Sequence, residues 1–328
     1  MADIATREGV IFLAGATGLA GTSILRYLLT NFPQARIRGT YFQTTPFLWD
    51  GRVDYLQADL TRRENCQRAM QGCRLAILAA ANASGAGSAK AEPERQLTDN
   101  LVMDANLLEA AYREGVERIV FISTATVYQE LAGHIREEDL DWNLDPPPAY
   151  LGVGWAKRAA EKLCQFWHEK YGLEVAIARA ANIYGAYAKF DPARSNFIPA
   201  IIRKAVERID PFVVWGSPEV ARDVIYSEDF AKAITGLLYK KEIKFATFNV
   251  GSGKAATVGE VVRCSLRWAH HEPKEVIYDS SKPTTINLRV LDIDKIAKAL
   301  DWQPMFSLEQ GIKNTIEWWR ENRQWWKK

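Results

Sequence analysis

Residues 10–21 read VIFLAGATGLAG. Val10–Ala14 is an unbroken apolar run, as expected of a strand buried on both faces. Gly15, Gly18 and Gly21 follow it, and Ile24, Leu25, Leu28 and Leu29 then recur at helical spacing. A strand, a glycine-rich turn and a helix therefore succeed one another. The first glycine permits a tight turn, the second lets backbone approach a pyrophosphate, and the third lets the helix close on the sheet. The helix N-terminus favours the phosphate charge. The stretch reads as a dinucleotide cradle, with Gly15, Thr17, Gly18 and Leu19 against the ligand. The alternative is a turn with a structural role only.

The flanking sequence repeats the strand–helix alternation. Strands are predicted at 36–40, 53–57, 75–80, 118–123 and 175–180, and helices at about 62–71, 97–112 and 157–170. Residues 81–93, ANASGAGSAKAEP, read as a loop. Alternation at this spacing predicts an α/β chain with a Rossmann-type, doubly wound parallel sheet. Beyond residue 185 the pattern loosens. A helix at 198–209, strands at 212–215, 245–250 and 276–278, and a helix at 307–319 suggest a smaller second lobe. Residues 1–185 are assigned mainly to the NAD(P)-binding domain. Residues 186–328 are assigned mainly to the second lobe, with segments returning to the first.

The 328 residues carry 42 basic and 40 acidic side chains. So even a balance argues for neither nucleic acid nor a membrane surface as partner. The four cysteines form no CxxC pair or ligand cluster. The apolar stretch at 10–20 is too short and glycine-rich for a signal peptide or a membrane span. A cytoplasmic location, with no metal, is the expectation.

Cofactor choice depends on the end of the second strand. NAD usually calls for an acid there, and IRGTYFQTT (37–45) has none. Arg38 can favour the extra phosphate of NADP, or can point away. The cofactor is thus NAD or NADP, with Arg38 inclining the reading to NADP. Asp59, followed by Leu60, can meet the adenine side or cap the helix before Thr61. Ala80 closes the fourth strand near the cradle. Two other stretches are set aside. GSGKAAT (251–257) has Phe248 and Ala255 where a phosphate loop needs Gly and Ser or Thr. His270-His271 has no matching ligand set and reads as an exposed helix end.

The glycine turn, the strand ending STATVY (123–128), Lys157, NIYG (182–185), Arg222-Asp223 before a Ser-Glu-Asp turn, FNVGSG (248–253) and a late LDW-P together resemble the extended short-chain dehydrogenase/reductase family. The likeness covers almost the whole chain and is strongest to its nucleotide-sugar epimerases, dehydratases and reductases. SNFIPAIIRK (195–204) and VVWG resemble the GDP-fucose synthase branch. The resemblance implies a Rossmann-type N-terminal lobe, a smaller C-terminal substrate-binding lobe, a nucleoside-diphosphate sugar as substrate and a homodimer. It implies Thr124 as the catalytic hydroxyl, and Lys157 as the lysine that holds the nicotinamide ribose and lowers a tyrosine pKa. Asn182, Asn196, Phe197 and Trp215 are implied to line the sugar and nucleotide. Arg222 and Arg289 are implied to meet phosphate, although Arg222 can instead pair with Asp223 or Asp229.

Two departures limit the chemistry. The family's tyrosine stands four residues before the lysine, and Val153 occupies that place. Valine cannot donate a proton. Tyr150 is seven residues before Lys157, which on an unbroken helix is about 10.5 Å of rise against about 6 Å for four. A bend can bring Tyr150 in; Tyr128, Tyr184 or Tyr187 can substitute; or the chain binds without turnover. Secondly, the Cys and His that fucose synthases use to move protons are matched by Thr126 and Asn196, so double epimerisation is not carried over. The remaining expectation is hydride transfer at sugar C4, by an epimerase or a 4-keto reductase. In the C-terminal EWWRENRQWWKK, Trp318, Trp319, Trp325 and Trp326 recur seven apart, and packing or a dimer contact is expected.

Overall fold

The computed structural model describes residues 9–82, 93–192, 195–279, 281 and 288–326. Most of the 81–93 loop lies outside them. The first strands are β1 (Val10–Ala14), β2 (Arg36–Tyr41), β3 (Val53–Gln57), β4 (Cys73–Leu78) and β5 (Arg118–Thr124). Then come β6 (Gly133–Ile135), β7 (Glu174–Ala180), β8 (Asn182–Tyr184), β9 (Phe212–Trp215), β10 (Ala221–Tyr226), β11 (Phe245–Val250), β12 (Ala255–Thr257), β13 (Val276–Asp279) and β14 (Leu288–Leu291). The helices are α1 (Leu19–Asn31), α2 (Arg63–Met70), α3 (Pro93–Arg113), α4 (Leu151–Tyr171), α5 (Phe197–Val206), α6 (Ser227–Tyr239), α7 (Val258–Ala269), α8 (Asp294–Leu300) and α9 (Leu308–Asn322).

Seven strands pair in the order β11-β7-β5-β4-β1-β2-β3, every pairing parallel. The order reverses between β1 and β4. In such sheets the crevice beyond the strands' carboxyl ends at that reversal is the ligand site. Here it lies between the Gly15 turn and Ala79-Ala80.

The two-residue period of a strand explains how both faces are covered. Ile11 and Leu13 of β1 pack on one side with Ile24, Leu25 and Leu28 of α1 and Phe230, Ile234 and Leu237 of α6. Phe12 and Ala14 pack on the other with Cys66 and Met70 of α2, Leu107 and Leu108 of α3, and Cys164 of α4. Each large apolar side chain buried this way contributes about 1.5–3 kcal/mol.

A third apolar group joins Ile198, Ile201 and Ile202 of α5, Val261 and Val262 of α7, and Ile312, Ile316 and Trp319 of α9. It rests on β10, the centre of a mixed sheet ordered β12-β10-β14-β6, with β8 also paired to β10. Parallel pairing sets Arg222 of β10 opposite Arg289 of β14, and Val224 opposite Asn182 of β8. β11 leaves this region and joins the large sheet beside β7. Trp318 and Trp319 pack on the body of the protein, Trp319 stacked on Phe190 with ring centres 4.2 Å apart. The side chains of Trp325 and Trp326 lie outside the described ones.

Candidate active site

The site has two ends. At the first, Gly15 has φ +72°, where a side chain is strained, and a Cβ there would lie 2.8 Å from the Ala80 backbone. At Gly21 a Cβ would lie 2.0 Å from the Gly15 carbonyl oxygen. Thr40 of β2 holds the turn: its hydroxyl accepts from Gly15 N–H (3.2 Å) and its carbonyl from Ala16 N–H (2.8 Å). Gly18 is the N-cap of α1; no side chain caps the helix and its first turn holds no acid. The amides of that turn lack intrahelical partners, so an anion meets no internal competitor. Thr17 of this turn is buried, Leu60 is buried in the apolar group that holds Ala14, and Leu19 packs against the third apolar group. This arrangement fits a dinucleotide pyrophosphate.

The structure corrects the reading of Arg38. Arg38 pairs with Phe12 of β1 and Asp54 of β3, two residues and more from the carboxyl ends of those strands. Its guanidinium donates to Asp54 (3.0 Å) and to the Gln71 carbonyl (2.6 Å), just ahead of the start of β4. It therefore points to the amino end of the sheet, away from the cradle, and gives no support for NADP. Asp59 accepts from Thr61 N–H (3.0 Å) and hydroxyl (2.7 Å), and these hydrogen bonds hold its carboxyl below the usual range. Because α2 begins at Arg63, Asp59 shapes a turn and does not cap the helix.

At the second end, Thr124 closes β5, and its hydroxyl accepts from Thr126 N–H and Thr126 hydroxyl, both at 3.3 Å. The Thr124 hydroxyl keeps its own proton to donate. Helix α4 is pressed against this loop. Gly154 makes that approach possible: a Cβ would meet Pro146 at 2.6 Å and the Thr126 carbonyl at 2.8 Å. The fully buried Arg158 donates to the Val127 carbonyl (2.6 Å) and to that of Leu144. Tyr150 is the N-cap of α4, off the helical path at φ −121°, ψ 9°. It lines one cavity with Thr124, Ala125, Thr126, Asn182, Arg222, Asp223 and Arg289.

Lys157 is not among the residues lining this cavity. Its ammonium donates to Asp104 of α3 at 2.9 Å, lies 4.6 Å from the Phe121 ring centre, and is 5% exposed. The expected coupling of Lys157 to a catalytic phenol is thus replaced by a buried ion pair. Burial raises the Asp104 pKa, and the Lys157 charge opposes that. Asp104 accepts one of the three ammonium donors.

The other tyrosines are committed elsewhere. Tyr128 is fully buried, donates to Asn249 at 2.7 Å and accepts from Arg179; burial pushes its pKa up to about 12. Tyr184 is 2% exposed, its hydroxyl toward the Leu308 carbonyl, and burial pushes it further from ionisation. Tyr187 packs against Phe47 and Trp318.

The two carboxylates expected to pair with Arg222 have other partners. Asp223 accepts from the amides of Ser252, Gly253 and Leu291 and from the Ser252 hydroxyl. Asp229 accepts from the amides of Met305 and Phe306. Arg222 lies 5.8 Å from the Phe197 ring centre. Arg289 donates to the carbonyls of Ala125 (2.9 Å) and Gln129 (3.1 Å), so the fork expected on a phosphate is spent on backbone. Asn182 donates to the Asp223 carbonyl at 3.1 Å. Asn196 is the exposed N-cap of α5 and Trp215 is 57% exposed on β9, so both stand apart from the cavity. The GSGK turn is clamped by Asp223. His270 ends α7 exposed, as expected, whereas His271 is buried, 3.0 Å from the Ile209 carbonyl. Among the described residues no three His, Cys, Asp or Glu side chains gather as metal ligands, and no helix is long and apolar enough to cross a membrane.

Sequence reasoning missed Asp104. Its signal was an acid inside the apolar stripe Leu101, Ala105, Leu108, Ala111. A buried acid there needs a partner, and the Lys157 ammonium supplies it.

Known proteins resemble the whole arrangement. Residues 11–251 match the NAD dependent epimerase/dehydratase family. The chain is 30% identical to a GDP-L-fucose synthase of Sinorhizobium fredii over 94% of each sequence. Its fold is shared with the UDP-glucose 4-epimerase of Thermotoga maritima, solved with UDP-glucose (TM-score 0.85, 22% identity, 96% of this chain and 99% of that one). It is shared also with the UDP-glucose 4-epimerase of Thermus thermophilus, solved with NAD (TM-score 0.80, 23% identity, 95% and 99%). With its reversing parallel sheet, glycine cradle and hydroxyl-lined cleft, the chain belongs to the NAD dependent epimerase/dehydratase family, a group of extended short-chain dehydrogenase/reductase enzymes.

Proposed function

We propose that the protein is a nicotinamide-dependent nucleotide-sugar epimerase or 4-keto reductase acting at sugar C4. One observation carries the reading: Tyr150, a residue with an exchangeable proton, lines the same cavity as Thr124 and Thr126 although position 153 is valine. Gly15, Thr17, Gly18 and Leu19 hold the pyrophosphate, Asp59, Leu60 and Ala80 the adenosine side, and the free donors of Lys157 the second ribose. When bound, the nicotinamide supplies or accepts the hydride. Tyr150 gives a proton to, or takes one from, the C4 oxygen, and the Thr124 hydroxyl donates to the same oxygen as charge grows there. Asn182 orients the sugar, with Asn196, Phe197 and Trp215 at its outer side, and Arg222 meets phosphate. Without a base at Thr126 or Asn196, proton abstraction at C3 and C5 has no agent.

The test is turnover of a panel of nucleoside-diphosphate hexoses and 4-keto hexoses with each cofactor. Conversion that falls about 100-fold in Tyr150→Phe supports the reading. Tight binding of both ligands with no conversion across the panel overturns it and leaves the second reading, a cofactor- and sugar-binding protein without catalysis, which Val153 motivates. With Arg38 withdrawn and no acid closing β2, affinities for NAD and NADP are expected within about tenfold of each other, or about 1.4 kcal/mol. A homodimer is part of the proposal. Tyr112, Phe166 and Tyr171 on α3 and α4 are each more than 40% exposed yet gather with Trp167 in one aromatic patch. A mass measurement that gives a monomer removes that part alone.

A further inference from the structure

Tyr150 stands ahead of α4 and off its helical path, so the helix itself does not fix its position. The segment before it does. Residues 144–146 are pinned to α4 one after another. The Leu144 carbonyl accepts from Arg158, the Asp145 carboxylate accepts from Trp155 Nε1 (2.7 Å), and Pro146 lies 2.6 Å from where a Cβ on Gly154 would sit. The Tyr150 amide then donates to the Pro147 carbonyl at 2.7 Å. The loop after β5 is held by the same stretch of helix. Arg158 Nε donates to the Val127 carbonyl at 2.6 Å, and the Thr126 carbonyl lies 2.8 Å from that same Gly154 position. One guanidinium thus joins the two segments that bring Thr124, Thr126 and Tyr150 to a single cavity.

Packing alone does not account for Arg158. It is fully buried, both of its acceptors are neutral carbonyls, and its Nη2 is buried with no acceptor. The carboxylates whose charge acts on it, Asp145 and Glu161, are committed to Trp155 and Arg179. The Trp155 ring covers the guanidinium, its centre 5.0 Å from Cζ. Burying a charge in this way costs free energy, and an apolar side chain of similar length would fill the same space at less cost. A planar fork does what an apolar chain cannot: it reaches carbonyls of two segments at a fixed spacing, whereas an ammonium is a point donor. We propose that Arg158 is a positioning residue: by holding Val127 and Leu144 on one guanidinium it sets the spacing between the Thr124 loop and Tyr150. It acts through these two segments and not on the reacting atoms. The inference rests on the proposed function for the purpose of that spacing, but its first readout needs no substrate.

The experiment is backbone hydrogen exchange of the full chain, read by mass spectrometry, in Arg158→Met and Arg158→Lys. The reporters are the amides of Tyr128, Leu144 and Tyr150, bonded to the carbonyls of Ala125, Asp141 and Pro147. In Arg158→Met, exchange over residues 124–130 and 141–150 is expected to rise about tenfold or more, with residues 10–31 and 160–171 unchanged. Arg158→Lys, which serves one carbonyl at a time, is expected to restore only part of the protection. Unchanged exchange in both segments of Arg158→Met overturns the proposal. So does faster exchange over the whole chain, which marks Arg158 as a stabiliser of the fold with no preference for these segments. If Arg158→Met fails to fold, Arg158→Lys decides by the same two criteria. Where a nucleotide sugar turns over, kcat in Arg158→Met is expected to fall about 100-fold with KM within about twofold. An unchanged kcat while the two segments loosen overturns the proposal. Loosened segments in a protein whose unaltered form converts no sugar support the clamp and reject the proposed function, so the two fail separately.

Discussion

The two ends of the cleft are built from different materials. The cradle at Gly15–Gly21 is backbone, and at its two outer glycines the geometry leaves no freedom: a Cβ added at Gly15 or Gly21 collides with the Ala80 Cα or the Gly15 carbonyl oxygen. The end that holds Thr124 and Tyr150 is side chains, and there the parts differ from the family's usual arrangement. Valine stands where the family has tyrosine, Tyr150 lines the cavity from the helix N-cap, Lys157 turns to Asp104, and Arg289 is held on the carbonyls of Ala125 and Gln129. Backbone sites tolerate almost no substitution because every residue shares the main chain. Side-chain sites tolerate rearrangement so long as a proton donor arrives at the same point.

Four changes break or sharpen that contrast. The largest effect is expected at the backbone end. Gly21→Ala places a Cβ 2.0 Å from the Gly15 oxygen, and should cost at least about 4 kcal/mol in denaturant unfolding and abolish NAD binding. Near-normal stability would mean that the turn relaxes and that the cradle is less rigid than described. Next, Asp104→Asn strands a buried ammonium, with an expected loss of about 3 kcal/mol in the same measurement. A smaller effect is expected at the proton donor. Tyr150→Phe should lower kcat about 100-fold, near 2.7 kcal/mol of barrier, with little change in melting temperature. Adding Val153→Tyr to it should not rescue activity, since Lys157 is held by Asp104; rescue would show that the usual pairing is still available. The smallest effect is a surface control far from either end. Hydrogen bonds from Arg52 lower the Asp50 pKa from 3.8 to about 2. A depressed carboxylate contributes stability above its unfolded pKa and loses it as pH falls through the folded one. Asp50→Asn should lower the melting temperature slightly at pH 7 and flatten its fall between pH 4 and pH 2, where the two proteins converge.

The backbone end was legible in VIFLAGATGLAG because backbone constraints are local in sequence. Strand alternation fixed the large sheet's content for the same reason, and the boundaries at β1, β3, β9 and β11 agree with the expected ones. Arg38 was misread because a strand residue's direction depends on where the next strands end, which spacing does not reveal. The Lys157–Asp104 pair spans 53 residues, and the Arg289–Ala125 contact spans 164. Neither distance is visible in a local pattern. Tyr150 was legible as a candidate, but its arrival in the cavity required the helix to start at Leu151 and not earlier.

β11 gives the fold a property of timing. Its residues, 245–250, complete the edge of a sheet whose previous strand ends at Ala180. On a ribosome, about 70 residues must therefore emerge after β7 before that edge is covered. In the interval Val175 and Ile177 border an open row of backbone donors and acceptors, the kind of surface that recruits other chains. A nascent chain stalled in this window should be a client for chaperones. A fragment ending at residue 185 should aggregate even though it carries the whole cradle.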